Sequence, residues 1–290
     1  MKKALLVGIN YYGTSNQLNG CINDVQNIRN MLIDAYGYCK EDILMLRDDL
    51  IDQTLAPAYD NILNELNALA DKSSTLEEIW FHYSGHGAQV NDLNGDEISK
   101  LDNVIMPSDY LAKGVIVDDM LFSILKKMKC RVIMLFDSCH SGTVCDLEYT
   151  FQCKNTNSFQ RTIDVSRLIE NKNIYVISAC KDDQATMDVF GNKTRLYYGI
   201  FTETFLECLR DMRHHAHILQ LYGNICNNLK ANGYKQIPIF SSTNKNPIFE
   251  ISNRTTPPKP IPKPKPSPQN NKPPQPQPPT KRNMRTMIAL

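Results

Sequence analysis

The chain has 290 residues, an apolar fraction of 42% and a net charge of +1. That length allows one or two domains and a core large enough to bury a sheet between helix layers, while no apolar run approaches the roughly 20 residues of a membrane span. The charge is uneven: from Arg254 onward there are eight Lys or Arg and no acid, which leaves −7 for the preceding residues, a balance that suits cationic ligands and divalent metals and argues against nucleic acid.

In chain order, Lys3 to Ile9 reads as a buried strand; its apolar segment is too short for an export signal. Cys21 to Tyr36 is an amphipathic helix, with Ile22, Val25, Ile28, Leu32 and Ile33 at helical spacing. Ile43 to Leu46 is a short strand and Leu55 to Leu69 a helix. Leu76 to Tyr83 is a strand. Residues 88 to 115 read as a long, Asp-rich, mostly irregular connection, the kind of loop that often carries function. Asp118 to Met128 is a helix, Arg131 to Phe136 a strand, and Tyr149 to Asn173 looks loop-like. Ile174 to Ser178 is a strand, Gly199 to Leu209 and Ala216 to Leu229 are helices, and Ile237 to Phe240 is a last strand. Strands alternating with helices predict an α/β fold with a mainly parallel β-sheet sandwiched between helices on both faces.

The stretch from Thr255 to Thr280 holds 12 of the 16 prolines, mixed with Lys, Gln and Asn. This composition predicts a disordered basic Pro-rich tail over 254–290, whose P-x-x-P runs suit SH3-type or WW-type partners. Nine cysteines without a C-x-x-C pair point to reduced thiols in a cytoplasmic or nuclear setting.

Two strand ends carry the chemistry. The apolar run Val132 to Phe136 breaks into Asp137-Ser138-Cys139-His140-Ser141-Gly142, and Glu78 to Tyr83 leads into Ser84-Gly85-His86-Gly87. In open α/β sheets the site lies outside the carboxyl ends of the strands. A thiol with a separate imidazole is the minimum for thiol catalysis, because imidazole takes the thiol proton and later gives it to the leaving amine. Period-two alternation puts Asp137 on the side of Cys139 and Ser84 on the side of His86. It sends His140 to the opposite face, which makes it the weaker rival base. His82, four residues before His86, sits in a strand and not in the helix that an H-x-x-x-H zinc pair needs, so a packed role is expected. The backbone N–H groups of Gly87 and Cys139 are candidate oxyanion donors.

These residues carry a family resemblance. The SGHG around His86 and the DSCHSG around Cys139 resemble the His and Cys signatures of metacaspases, caspase-like cysteine peptidases of family C14. GCIND at Gly20–Asp24, DLNGDE at Asp92–Glu97, VIMPSD at Val104–Asp109, IVDD at Ile116–Asp119 and SACKDDQ at Ser178–Gln184 follow in family order over roughly residues 1–250. The Q-A-C-x-G signature of true caspases is absent. The resemblance implies a caspase-like fold over 1–253. Its large-subunit region would be about 1–150, its linker about 150–172 and its small-subunit region about 173–253. The short linker favours type I, although type I metacaspases more often carry a Pro-rich segment at the amino terminus.

The resemblance also implies a cysteine-type endopeptidase, a monomer acting on protein or peptide substrates with Arg or Lys before the cut. Cys21, Asp24, Ser84 and Asp137 match the positions that line the basic-residue pocket in the family, and a carboxylate grip on guanidinium is the natural chemistry. Asp182 or Asp183 is an alternative lining residue. Asp102, Asp118, Asp119 and Asp146 match a calcium-binding carboxylate set, and calcium, an oxygen-ligand cation of flexible geometry, is the implied activator; Asp118 and Asp119 as helix-start residues are the bland alternative. Asp92 to Glu97 lacks EF-hand spacing and reads as a polar turn. Lys154 and Arg161 are candidate self-cleavage sites. The rival classes are a catalytically silent scaffold acting through the Pro-rich tail, a thiol redox protein, and a hydrolase of non-peptide esters.

Overall fold

Seven consecutive buried residues, Glu78 to Ser84, form the middle of the molecule. A strand this uniformly buried needs neighbours on both edges and cover on both faces, and a computed structural model, which describes residues 1–91, 101–138, 145, 147–155, 158–179, 188–191 and 196–252, provides both. The first half of the chain runs β1 (Lys2–Gly8), α1 (Cys21–Asp34), β2 (Ile43–Arg47), α2 (Tyr59–Lys72), β3 (Glu78–Ser84), β4 (Gly87–Asn91), β5 (Leu101–Ile105), α3 (Tyr110–Lys113), β6 (Ile116–Val117), α4 (Asp118–Leu125) and β7 (Arg131–Asp137). The second half adds β8 (Tyr149–Asn155), β9 (Ser158–Ile163), β10 (Ile174–Ser178), β11 (Asp188–Gly191), β12 (Leu196–Gly199), α5 (Ile200–Asp211), β13 (His215–His217), α6 (Ile218–Ala231), β14 (Ile239–Ser242) and β15 (Glu250–Ser252).

The main sheet has the strand order β2-β1-β3-β7-β10-β14-β8-β9. The first five strands are parallel, and β14, β8 and β9 extend the sheet antiparallel. Alternation along each strand splits the core in two. Ala4 and Leu6 of β1 and Ile133 and Leu135 of β7 pack with Val25, Phe201, Phe205 and Tyr222 under α1, α5 and α6. Leu5 and Val7, Val132, Met134 and Phe136 face the other way, against Ile62, Leu66, Leu121 and Leu125 of α2 and α4. Register then fixes the site: Gly8, Ser84 and Asp137 stand opposite one another at the carboxyl ends of β1, β3 and β7.

Two segments expected to be irregular are strands. Residues 88–115 contain β4 and β5, which pair with each other and with β6 in a separate three-stranded sheet. The expected linker contributes β8 and β9 to the main sheet, where β8 pairs β14 through Phe240 and Phe151. These are antiparallel pieces rich in polar residues: β4 and β9 are partly exposed and β5 buries Asp102 and Asn103, so they resemble loops in composition. The helix expected from Leu55 starts at Tyr59, after Pro57. The Pro-rich tail lies outside the described residues.

Candidate active site

The carboxyl ends of β1, β3 and β7 open toward the amino terminus of α1 and the junction of β12 with α5. Cys21 and Asp24 stand in the first turn of α1 and are buried. Asp24 Oδ2 accepts the Ser84 hydroxyl at 2.8 Å. Its Oδ1 accepts the main-chain N–H of Gly199 at 2.9 Å. Asp137 Oδ2 accepts both the N–H (3.0 Å) and the hydroxyl (2.7 Å) of Thr202, in the first turn of α5. The unsatisfied N–H groups at a helix amino terminus favour a carboxylate there, so Asp137 is anchored by an element more than sixty residues away in sequence. A Cβ at Gly199 would come within 2.8 Å of Asp24 Oδ2 and closer still to Asp137 Oδ2. The absence of a side chain at Gly199 is therefore what lets two buried carboxylates share one recess. Asp24, Ser84 and Asp137 are thus brought together, and Cys21 stands three residues before Asp24 on α1, its N–H bonded to Asn10 Oδ1 at 3.1 Å. Gly199 and Thr202 were not expected from sequence; the Gly at the start of the α5 pattern is the one signal that pointed to a close approach there.

His86 follows β3 after Gly85. Its Nε2 is 2.6 Å from the Asn16 carbonyl oxygen. A carbonyl only accepts, so Nε2 carries the proton and Nδ1 is the acceptor of the neutral ring. The Tyr11 ring lies against the imidazole, with centroids 4.6 Å apart. Gly85 has no Cβ where one would come within 2.7 Å of the Tyr83 hydroxyl. Asn16 contributes main chain only, so no side-chain signal could have revealed it. The Met106 N–H donates to the His86 carbonyl (3.1 Å), next to the Gly87–Ile105 pair of the β4–β5 ladder. Alternation in an antiparallel ladder then turns the Gly87 N–H away from β5, and β4 is the edge strand of its sheet. Cys139 and His140 lie outside the described residues, as do Asp182 and Asp183. β7 ends at Asp137, two residues before Cys139.

His82 is fully buried in β3, and its Nδ1 is bonded to the Leu135 carbonyl (3.1 Å) on β7. Burial pushes its pKa down to about 3, so the ring is neutral and packed within the sheet.

The β5–β6 pairing brings the Asp102 end of β5 to the start of α4. Asp102 and Asp118 are buried, and Asp118 Oδ1 accepts the Asp119 N–H at 2.9 Å. Asp119 Oδ1 accepts Arg167 Nη1 at 2.9 Å, and the Arg167 guanidinium lies 5.0 Å from the Phe122 ring centroid. Among the described residues no three His, Cys, Asp or Glu side chains are arranged to hold a metal ion, and Asp146 lies outside them, as does Asp92 to Glu97. The donor chemistry, all carboxylate oxygen, suits a hard cation such as calcium, but Arg167 already neutralises one member. Lys154 lies on β8 and Arg161 on β9, where Arg161 Nη1 donates to the Lys245 carbonyl (3.1 Å).

A family model described as the metacaspase peptidase C14 domain matches residues 2–148. Metacaspase-1 of Kluyveromyces lactis is 47% identical over 156 residues, which cover 53% of this chain and 36% of that protein. Metacaspase-1 of Meyerozyma guilliermondii is 32% identical over 288 residues, covering 83% of this chain and 69% of the relative. The chain therefore spans about a third of the length of the Kluyveromyces lactis relative. A crystal structure of a Geobacter sulfurreducens protein aligns with a TM-score of 0.58 at 22% identity, covering 88% of this chain and 97% of that one. Caspase-1 of Spodoptera frugiperda aligns with a TM-score of 0.52 at 13% identity, over 84% and 87%. These two establish the caspase-like α/β fold.

Proposed function

This chain belongs to the metacaspase family, peptidase C14, and on that premise we propose that it is a cysteine endopeptidase that cuts peptide bonds after Arg or Lys. The observation that carries the specificity is the pair of buried carboxylates, Asp24 and Asp137, drawn around Gly199 at the carboxyl ends of the strands. A guanidinium or ammonium entering that recess meets opposite charge at low local dielectric. A substrate Asp would be buried against like charge, at a cost of several kcal/mol. Each 1.4 kcal/mol is about tenfold, so the preference for Arg over Asp should exceed about a hundredfold.

In the reaction, His86 Nδ1 takes the proton of the Cys139 thiol, and the thiolate attacks the carbonyl carbon. The carbon–nitrogen bond breaks as the imidazolium gives its proton to the leaving amine, which leaves a thioester. Water then attacks the thioester with His86 as base, releases the carboxylic acid and restores the thiol. The Gly87 N–H, turned away from β5, and the Cys139 N–H are the oxyanion donors on this reading. Calcium, held by Asp102, Asp118, Asp119 and Asp146, would neutralise a repelling carboxylate set and is the proposed activator. Self-cleavage in the connection between the two halves is proposed with it, at Lys154 or Arg161, as is action as a monomer in the cytoplasm or nucleus.

The test is turnover on peptides that differ only at the residue before the cut, in wild type, Cys139→Ala and His86→Ala. Cleavage after Arg and Lys that both variants abolish is the expected outcome. Comparable cleavage after Asp, or normal turnover in Cys139→Ala, would reject the reading.

A further inference from the structure

The loop between β1 and α1 reaches the imidazole twice, through the Tyr11 side chain and through the Asn16 carbonyl, and its shape is set from outside the loop. Tyr11 has φ +52°, a left-handed conformation that a bulky residue adopts only when its surroundings impose it. The imposing group is the Asp48 carboxylate, just beyond β2. Its Oδ1 accepts the Asn10 N–H at 3.0 Å and its Oδ2 the Tyr11 N–H at 2.6 Å.

From that turn the bonds run on to the imidazole. The Tyr11 carbonyl accepts the Thr14 N–H (3.2 Å) and the Thr14 hydroxyl (2.8 Å). Thr14 Oγ1 accepts the Asn16 N–H (3.2 Å), and the Asn16 carbonyl accepts His86 Nε2–H (2.6 Å). The Tyr11 hydroxyl works in parallel. It accepts the His86 main-chain N–H (3.0 Å) and donates to the Met106 carbonyl (2.6 Å). It is thereby inserted where a ladder bond between residues 86 and 106 would otherwise close. Tyr83 completes the arrangement by donating its hydroxyl to the His86 carbonyl at 2.6 Å. Burial keeps the Tyr11 hydroxyl protonated, so its donor role persists at any physiological pH.

We propose that Asp48 and Tyr11 are positioning residues for His86: the Asp48 carboxylate fixes the turn at Tyr11, and Tyr11 fixes the plane, the main chain and the Nε2–H tautomer of the imidazole. The proposal rests on the reading of His86 as the base. A general base contributes about 10²- to 10⁴-fold to rate, and that contribution depends on which nitrogen is the acceptor and where it points.

The experiment compares wild type with Asp48→Asn, Tyr11→Phe and Tyr11→Leu. Three quantities are read: kcat and KM on an Arg peptide, thermal unfolding, and the tautomer of His86 from long-range ¹H–¹⁵N spectra of the labelled protein. Asn offers one acceptor oxygen to two N–H groups, so Asp48→Asn should lower kcat about tenfold or more with KM within about twofold, and the His86 signals should move from Nε2–H toward a tautomer mixture. Tyr11→Leu should do the same. Tyr11→Phe keeps the ring against the imidazole and the turn, and removes only the hydroxyl that accepts the His86 main-chain N–H, so it should restore part of the kcat lost in Tyr11→Leu, keep the Nε2–H tautomer and move the His86 main-chain amide signal. Folded variants with unchanged kcat and an unchanged Nε2–H tautomer would overturn the proposal. If Asp48→Asn and Tyr11→Leu fail to fold, Tyr11→Phe decides it, and an unchanged kcat with an unmoved His86 main-chain amide signal there is the negative result. Full turnover in His86→Ala would instead remove the reading of His86 as base, and the tautomer measurement would still decide whether Asp48 and Tyr11 set the ring.

Discussion

The main-chain N–H of Gly199 donates to Asp24 Oδ1 at 2.9 Å, across 175 positions of sequence. Through this bond and the two from Thr202 to Asp137, the recess is assembled from both halves of the chain: α1 and the parallel strands supply the carboxylates, and the start of α5 fixes their positions. A pocket built this way depends on the docking of β12 and α5 against the rest of the domain, and on Gly199 offering a backbone N–H to Asp24 and no side chain to either carboxylate.

Gly199→Ala tests that arrangement. Gly199 has φ −69° and ψ 129°, a conformation open to any residue, so the added methyl acts through space and not through backbone strain. Its Cβ would press on Asp24 Oδ2 and Asp137 Oδ2. The variant should lose about 1–3 kcal/mol of stability, as for other overpacked sites. Its kcat/KM for Arg and Lys peptides should fall at least about a hundredfold, the scale of two lost charge-assisted bonds. Alkylation of Cys139 by a small uncharged reagent should proceed at the wild-type rate. An unchanged kcat/KM would show that the recess does not receive the basic side chain.

Self-processing has a structural cost that separates its two candidate sites. Lys154 lies at the irregularity of β8 between Cys153 and Asn155, outside both ladders: β8 pairs β14 only over Tyr149 to Phe151, and the β8–β9 register steps from Cys153 to Asn155. Arg161 lies within the β8–β9 ladder, opposite Phe151. A peptidase takes its substrate extended and unpaired, so cutting at Arg161 requires breaking a pairing that Lys154 does not have. Mass spectrometry of the active protein should therefore find the cut after Lys154 before any cut after Arg161, and Lys154→Gln should slow conversion of the intact chain. Early cutting after Arg161 with Lys154 intact would reverse this order.

The parallel half of the fold was legible in sequence because its strands are buried on both faces and read as unbroken apolar runs. Glu78 to Tyr83 and Arg131 to Phe136 announce themselves, and the polar residues that follow them mark the carboxyl ends where His86 and Asp137 stand. β4, β5, β8 and β9 were not expected from sequence. β4 and β9 are antiparallel and partly exposed, with no apolar alternation to set them apart from loops, and β5 buries the polar Asp102 and Asn103. β8 does alternate, with Tyr149, Phe151 and Cys153 against Thr150, Gln152 and Lys154, a period-two signal hidden among neighbours rich in Asn, Ser and Thr. The pocket carboxylates could be named from spacing and resemblance, but what holds them could not. Gly199 acts by having no side chain, and Asn16 acts through its carbonyl. The pairing of Arg167 with Asp119 is equally silent in sequence, because it joins a segment expected to be a linker to the start of a helix.

His82 predicts an acid sensitivity that belongs to the sheet and not to the site. Its folded pKa, about 3, is depressed by burial from an ordinary value near 6.5. The unfolded chain therefore takes up the proton first as pH falls. The stability associated with the neutral buried ring is complete above about pH 6.5 and is lost progressively down to about pH 3, at up to about 1.4 kcal/mol per pH unit. His82→Asn keeps a donor for the Leu135 carbonyl and removes the titration. Urea unfolding at intervals between pH 7 and 4.5 should give a shallower loss of stability in the variant than in wild type, whatever its absolute stability. Parallel slopes would assign the acid sensitivity to other groups.

Arg167 and calcium compete, on the reading of Asp119 as a ligand, for one carboxylate. The Arg167 guanidinium is almost wholly buried, with 7% of its side chain exposed, and it donates to Asp119 Oδ1 at 2.9 Å. Its central carbon lies 5.0 Å from the Phe122 ring centroid. A cation bound by Asp102, Asp118, Asp119 and Asp146 shares the Asp119 carboxylate with Arg167 and repels its guanidinium, so binding should loosen the segment around Arg167 from the start of α4. Two measurements follow, both made in Cys139→Ala so that no self-cleavage intervenes. Calorimetric titration should show Arg167→Gln binding calcium several-fold more tightly than its parent, since removing the tethered cation leaves Asp119 without its counter-charge. Trypsin should cut after Arg167 faster in millimolar calcium than in chelator, because a buried Arg is protected and a released one is not. Asp118→Asn should weaken calcium binding and restore the protection. Equal affinity in the Arg167→Gln variant and its parent, with trypsin cutting unaffected by calcium, would separate Arg167 from the ion and leave its bond to Asp119 as a fastening between the segment before β10 and α4.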